Sequence, residues 1–540
     1  MKRVSRLPKT RASAWSSARL LARAACVLVL LVPAAARALD ADVWLGKDRA
    51  ALFDSYVKDI RDGQLDPERG ARRLGSTWDA ELARTRRRFI QAVTTADVYY
   101  ALLSLKNSLH DGHGDLSVPR ALTPPRARYR TALRFRPERN RGALRFVVSA
   151  STSVRVSPGL ILLSVDGLTP QAALDAFREW HNSSSPEHLE FEFANWLSAR
   201  DSRDEPLPSP LEVRYALRDP VSGSSVTVTL PLLRHENDFD EPEPFIAYDR
   251  PLGLDYRDWK PIFCGLNYRV YADPDSGALV LRYFSFEYRF DFRDLWNRMV
   301  GLSYAPRTLP ENEGAGSGLE RFDLEELERF LRSADPRYKT LLVDVRENNG
   351  GGVVEGLLSL LATRPFRLTT NRWIYTPLLR RDPAFLDAVL RMAGGERAAF
   401  IRAQVGRGDK RSPIFSFTCS SPLCRAQEAV GKPVPLGRRY RMAVLSGPYC
   451  VSSCDQFVSV FADNRMGPVL GLPSQGESSP ARGEARFKMA NGESFGLTLG
   501  IAETFRANGQ PLEGNPARPA DPTYPSDGYL RRVLASLKER

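Results

Sequence analysis

Past its N-terminus, this 540-residue chain has no run of 18 uninterrupted apolar residues, so no membrane-spanning helix is expected there. It also lacks basic stretches interleaved with aromatic residues, so nucleic acid is not an expected partner. The formal charge of +13 does not change that. Residues 1–38 hold eight Lys or Arg and no acid, and the remainder carries only +5. Histidine is scarce: only His110, His113, His181, His188 and His235 are present, so any imidazole chemistry must come from these five. Cysteine is sparse, and its spacings, C-x4-C at Cys419/Cys424 and C-x3-C at Cys450/Cys454 with no histidine beside them, suit zinc poorly. Neither a metal nor a cofactor is expected. No Gly-Lys-Ser/Thr follows the glycine-rich turn at 346–352, which weakens a phosphate-loop reading. No G-x-S-x-G elbow surrounds Ser452, which weakens an esterase reading.

What is present suits a globular exported protein. Hydrophobic residues make up 43% and charged residues 26%, ordinary values for a soluble chain of roughly three domains. The N-terminus runs from a basic stretch through the apolar Ala24 to Ala36 into Ala36-Arg37-Ala38. That order predicts a secretory leader over residues 1–38, cut after Ala38, with a periplasmic or secreted product. Cys26 opens the apolar run instead of following it, so no lipid anchor and no stable membrane attachment are expected. An oxidising compartment permits disulfides among Cys264, Cys419, Cys424, Cys450 and Cys454. Local pairs Cys419/Cys424 and Cys450/Cys454, or two crossed pairings, all remain open.

Spacing of apolar residues predicts helices over residues 39–123, including Ala50 to Arg61 and Glu81 to Leu105. The helical pattern ends at Asp111-Gly112. His113 then sits at a helix-to-loop exit, a short strand starts at Leu116, and His110 reads as a capping residue. Residues 124–235 turn β-rich, with strands at Ala143 to Ser149, Leu160 to Val165 and Val226 to Leu233, and a helix from Pro170 to Trp180. Residues 181–210, polar and Ser/Pro-rich, read as an insertion, and His235 to Asp258 as a linker. The last region, 259–530, alternates strands and helices: Gly277 to Tyr288, a helix from Phe322 to Leu331 opened by Asp323, Lys339 to Val345, and Val353 to Leu361. Insertions are expected near 300–320 and 380–437. The alternation predicts an α/β core with a partly parallel sheet.

Two strand–turn–helix units in that core carry the candidate chemistry. In one, the strand Met442 to Leu445 leads through Ser446-Gly447-Pro448 to Ser452 and Ser453 at the start of a helix. A serine there can act as a nucleophile beside helix N-terminal amides, or simply cap the helix. In the other, Asp344 to Gly352 (DVRENNGGG) exposes N–H groups with no side chains in the way. Parallel strands would set these turns side by side at one sheet edge.

DVRENNGGG resembles the D-x-R-x-N-x-G-G signature of the tail-specific (C-terminal processing) and tricorn-type serine peptidases. CVSSCD, from Cys450 to Asp455, resembles their nucleophile segment. Leu160 to Gly167 resembles a PDZ-domain strand, VLGLPSQG over Val469 to Gly476 the strand after the nucleophile helix, and PLEGNPARPAD over Pro511 to Asp521 the closing motif. The matches cover most of residues 90–525 in order. The resemblance implies a crotonase-like (ClpP-like) mixed-sheet catalytic core, an N-terminal helical region and an inserted PDZ-like β-rich domain. It implies Ser452 as nucleophile, three residues before Asp455, with Gly350 and Gly351 and the Ser453 amide as the oxyanion hole. The bacterial tail-specific enzymes place a lysine base where this chain has Glu477, so a Ser–Lys pair is not available. The resemblance is therefore to the Ser–His–Glu branch that includes chlamydial protease-like activity factor. There His113, in Asp111-Gly112-His113, is the implied base and Glu513 the orienting acid, with Glu503 as reserve acid and Ser453 as reserve nucleophile. The expected activity is endopeptidase cleavage of a peptide or protein through an acyl-enzyme, and a homo-oligomer is left open. The rival expectation is a peptide- or protein-binding relative without catalysis, motivated by Glu477.

Overall fold

The computed structural model describes residues 41–140, 142–234, 256, 259–287, 317–352, 354–416, 429–436, 440–478, 482–526 and 528–539. The expected leader, nearly all of the expected linker, the expected insertion near 300–320 up to residue 316, and the Cys419/Cys424 pair lie outside these residues.

A six-stranded mixed sheet organises the C-terminal half. Its order is Phe263–Cys264, Tyr268–Asp273, Ala278–Tyr283, Thr340–Asp344, Arg441–Ser446, Val469–Gly471. The first three strands pair antiparallel and the last three join in parallel. The central Thr340–Asp344 is buried along its whole length, as a strand with helices on both faces must be. One face packs Leu327, Leu358, Phe457 and Phe461 from the helices Ser317–Ser333, Glu355–Leu361 and Ser453–Asp463. The other face packs Tyr529, Leu530 and Leu534 of the Tyr529–Glu539 helix against Ala443 and Leu445. Asp344 stands opposite Leu445 in a parallel register. The glycine-rich turn and the Ser452 turn therefore leave neighbouring strands at the same end of the sheet, where open α/β sheets hold their ligands.

Residues 133–231 build a five-stranded antiparallel sheet, Leu133–Asn140, Ala143–Ser151, Ile161–Val165, Glu212–Arg218 and Ser225–Pro231, with its own core around Phe135, Phe146, Tyr215 and Phe193. The N-terminal helices share a core with the C-terminal strands. Trp78, Phe89 and Leu102 cluster with Phe487, Phe495 and Leu497, and Tyr56 donates to the Lys488 carbonyl at 2.7 Å. That shared core carries the His113 loop to the C-terminal strands.

Several elements differ from the sequence reading. The helix expected over Glu81 to Leu105 is two, Trp78–Gln91 and Thr95–Asn107. Thr94 restarts the second with a capping box, its hydroxyl accepting from Asp97 N–H while the Asp97 carboxylate accepts from Thr94 N–H. That helix ends at Asn107, not at Asp111, and His110 is not a cap: it lies buried at φ +47, its Nε2 3.9 Å from Glu81. Asp323 does not open its helix. It is buried within it and accepts from Leu266 and Asn267 N–H at 2.6 and 3.1 Å. Residues 181–210 contain the helix Pro186–Trp196, opened by Ser185, whose hydroxyl accepts from His188 N–H, with Pro186 at its first turn. Its polar composition masked buried Leu189, Phe191, Phe193 and Ala194.

Candidate active site

Ser452 occupies the N-cap position of Ser453–Asp463, yet its side chain makes no capping hydrogen bond. Its backbone is at φ 62, ψ −122, a conformation unfavourable for any residue with a Cβ. The surroundings hold it there. Its N–H donates to the Glu477 carbonyl at 2.8 Å, and the carbonyl of Cys450 accepts from Gln475 N–H at 3.0 Å. The Cys450–Cys454 disulfide spans the serine, with Cα atoms 5.2 Å apart. Such strain concentrates where a side chain must be presented instead of buried.

The glycine-rich turn is pinned by its own polar side chains. The Arg346 guanidinium grips the buried Asp344 carboxylate at 2.7–3.1 Å, and Tyr256 donates to the same carboxylate at 2.6 Å. Asn348 donates to the Tyr283 carbonyl and accepts from Gly350 N–H at 2.9 Å. Gly350 N–H is thus committed to Asn348. Gly350 itself, at φ +86, backs directly onto the serine: a Cβ there would lie 2.6 Å from Ser452 Cβ and 2.6 Å from the Val451 carbonyl. Gly350→Ala is expected to cost about 1–3 kcal/mol of stability and most of any Ser452 reactivity. Urea unfolding and the labelling rate of Ser452 check the two parts separately.

The short turn Gln475 to Ser478 joins the separate regions. Asp455, fully buried, accepts from Gly476 and Glu477 N–H at 2.8 and 2.9 Å. Gly514 N–H of the closing motif donates to the Gly476 carbonyl at 2.8 Å, and Arg73 of the N-terminal helices donates to the Gln475 carbonyl at 2.6 Å. Glu477 has two roles. Its carbonyl holds Ser452 N–H, and its carboxylate accepts from Gly112 N–H at 2.6 Å, beside His113. Donor atoms of Asp111, His113 and Glu477 all lie within 4.8 Å of one another.

The structure therefore gathers Ser452, Gly350, Gly351 and Ser453 at one sheet edge, with the His113 loop joined to them through Glu477. The two hydrogen bonds of the expected triad are not made. Both His113 ring nitrogens are buried with no hydrogen-bond partner among the described residues, and so is Glu513 Oε1. Glu513 Oε2 accepts from Thr504 N–H at 3.0 Å. Of the reserves, Glu503 is paired with Arg372 at 2.7 Å, and Ser453 donates its hydroxyl to the Gly351 carbonyl at 3.1 Å. Burial, reinforced by the Arg482 charge and opposed by Asp111, pulls the His113 pKa down to about 3, so the imidazole is neutral. Burial raises Glu513 as well, against the Arg69 charge. Sequence reasoning missed Glu477, treating it only as a lost lysine. The missed signal was a carboxylate in a short glycine-containing turn, which needs a donor once the turn is buried.

Burial, with the Asp111 charge adding, raises Glu477 from 4.5 to about 8, and burial raises Asp455 from 3.8 to about 7. The folded chain then keeps protons that the unfolded chain releases. Stability contributed by these groups is full below the unfolded values and is lost as pH rises through about 4.5 to 8. Urea midpoints should fall between about pH 5 and pH 8, and fall less in Glu477→Gln. A midpoint that rises equally in both proteins would contradict this assignment.

The whole-chain architecture has known counterparts. The fold is similar to that of mature CPAF. The structure of mature CPAF complexed with lactacystin matches with a TM-score of 0.61 at 17% identity, covering 91% of this chain and 97% of that one. Mature CPAF alone gives 0.60 at 18% identity over 91% and 96%, and the CPAF s499a mutant 0.58 at 17% over the same shares. No protein-family profile and no curated protein sequence matches the chain. Among the described residues, no helix is long and apolar enough to cross a membrane.

Proposed function

We propose that the chain is an exported serine endopeptidase that cleaves peptide bonds through an acyl-enzyme on Ser452. The observation that carries this reading is the double attachment of Glu477, whose carbonyl fixes the strained Ser452 and whose carboxylate lies with His113. The fold shared with mature CPAF agrees with the branch to which the sequence motifs point. In this reading neutral His113 takes the Ser452 hydroxyl proton as Oγ attacks the peptide carbonyl carbon. The oxyanion forms toward the Gly351 and Ser453 amides, because Gly350 N–H already serves Asn348. His113 then protonates the departing amine, and water releases the acyl group by the same steps reversed. Glu513, with one unpartnered buried oxygen, orients the imidazole once substrate draws the groups together. The 259–530 region is the crotonase-like core. The module within 124–235 is the PDZ-like domain, offering a sheet edge to an extended peptide.

A second reading, a peptide-binding relative without catalysis, is favoured by one observation: the ring of His113 makes no hydrogen bond to Ser452 or to Glu513. Catalytic hydrogen bonds are often long before substrate arrives, so that observation does not decide the matter. A fluorophosphonate probe does. The enzyme reading expects labelling of the native protein that vanishes in Ser452→Ala. Folded protein that resists the probe would favour the binding module.

A further inference from the structure

Behind the candidate active site, residues 181–192 bring three metal-ligating side chains together. His188 and Glu192 lie four residues apart on one face of the Pro186–Trp196 helix. His181 joins them from the segment after Pro170–Phe177. His181 Nε2 stands 3.9 Å from one Glu192 carboxylate oxygen, and His188 Nε2 stands 3.8 Å from the other. Donor atoms of all three lie within 4.8 Å of one another. These separations are too long for hydrogen bonds, and His181 Nε2 is buried with no hydrogen-bond partner among the described residues.

The rings are already set for ligation. Ser183 Oγ lies 3.0 Å from His188 Nδ1, a contact that orients the ring with Nε2 on the Glu192 side. The His181 ring stacks on Phe177, with centroids 5.1 Å apart and planes 16° from parallel. Tetrahedral Zn²⁺ places N and O ligands roughly 3.4 Å apart, so each of the two histidine–Glu192 separations need close by only about 0.5 Å.

We propose that His181, His188 and Glu192 form a binding site for a divalent transition metal of the zinc class. Two imidazoles and one carboxylate fill three positions, and the fourth opens on a cavity of about 260 Å³ that His181 and Glu192 line together with Asp204 and Glu205. No metal was expected from the sequence, where only cysteine spacing was weighed. The site braces a segment that touches both catalytic loops. Asn182 donates to the Asp111 carbonyl, Ser184 to Gln475 Oε1 at 3.1 Å, and Asn195 to the Tyr449 hydroxyl at 2.8 Å.

The test titrates metal-stripped full-length protein with Co²⁺, followed by displacement with Zn²⁺. One Co²⁺ per chain is expected, with the visible absorption of a tetrahedral N/O site. His188→Ala and the near-isosteric Glu192→Gln should each weaken uptake at least about tenfold. His113→Ala should leave stoichiometry and spectrum unchanged, which separates this cluster from Asp111, His113 and Glu477. Zn²⁺ should raise the melting temperature of the wild type and not of Glu192→Gln. Absence of stoichiometric uptake, uptake that survives both substitutions, or uptake lost in His113→Ala would overturn the proposal.

Discussion

Ser452→Ala is expected to abolish fluorophosphonate labelling, and His113→Ala to slow hydrolysis of an unfolded reporter protein by on the order of 10⁴-fold. The two losses should not multiply in the double variant, because nucleophile and base act in one step. Neither substitution should unfold the protein. The Ser452 side chain makes no capping bond and the His113 ring makes no hydrogen bond among the described residues. The pH profile follows from the lowered His113 pKa of about 3. A base works in its neutral form, so activity should persist as pH falls below the ordinary histidine range, where an exposed imidazole would already be protonated. Full activity in His113→Ala would remove the imidazole from the mechanism.

Glu513→Gln and Glu477→Gln should differ sharply. Glu513→Gln is expected to lower kcat by about 10³–10⁴-fold with little change in KM, because an amide cannot stabilise the imidazolium. Glu477→Gln keeps the backbone carbonyl that fixes Ser452, and its amide oxygen can still accept from Gly112 N–H. Its loss should stay within about tenfold, the change expected when a mostly protonated carboxyl is replaced by a neutral amide. Steady-state kinetics on the two variants checks this. The reverse order would make Glu477 the orienting carboxylate.

The core was readable where local chemistry and fold agree. The apolar Leu341 to Val343 inside Thr340–Asp344, followed directly by a glycine-rich turn, reads as a strand buried on both faces. The Ser452 turn was legible because a small-residue junction between a buried strand and an amphipathic helix has few conformations open to it. What stayed hidden depends on contacts between distant segments. Glu477 meets Gly112 across 365 residues, and the N-terminal helices share their core with Phe487 and Leu497. Periodicity also could not separate Trp78–Gln91 from Thr95–Asn107, since apolar spacing runs on through a capping box. The helix at 186–196 was missed because serines and a proline dominate its start while its aromatic residues point inward.

The central claim is that His113 and Ser452 form a working pair held together through Glu477. A crystal structure of the full-length protein with a peptidyl boronate tests it most directly. The account predicts boron bonded to Ser452 Oγ, one boronate oxygen facing the Gly351 and Ser453 amides, and a His113 ring nitrogen within about 3.2 Å of the adduct. A boronate on another residue, or an adduct on Ser452 from which His113 stays withdrawn, would contradict it.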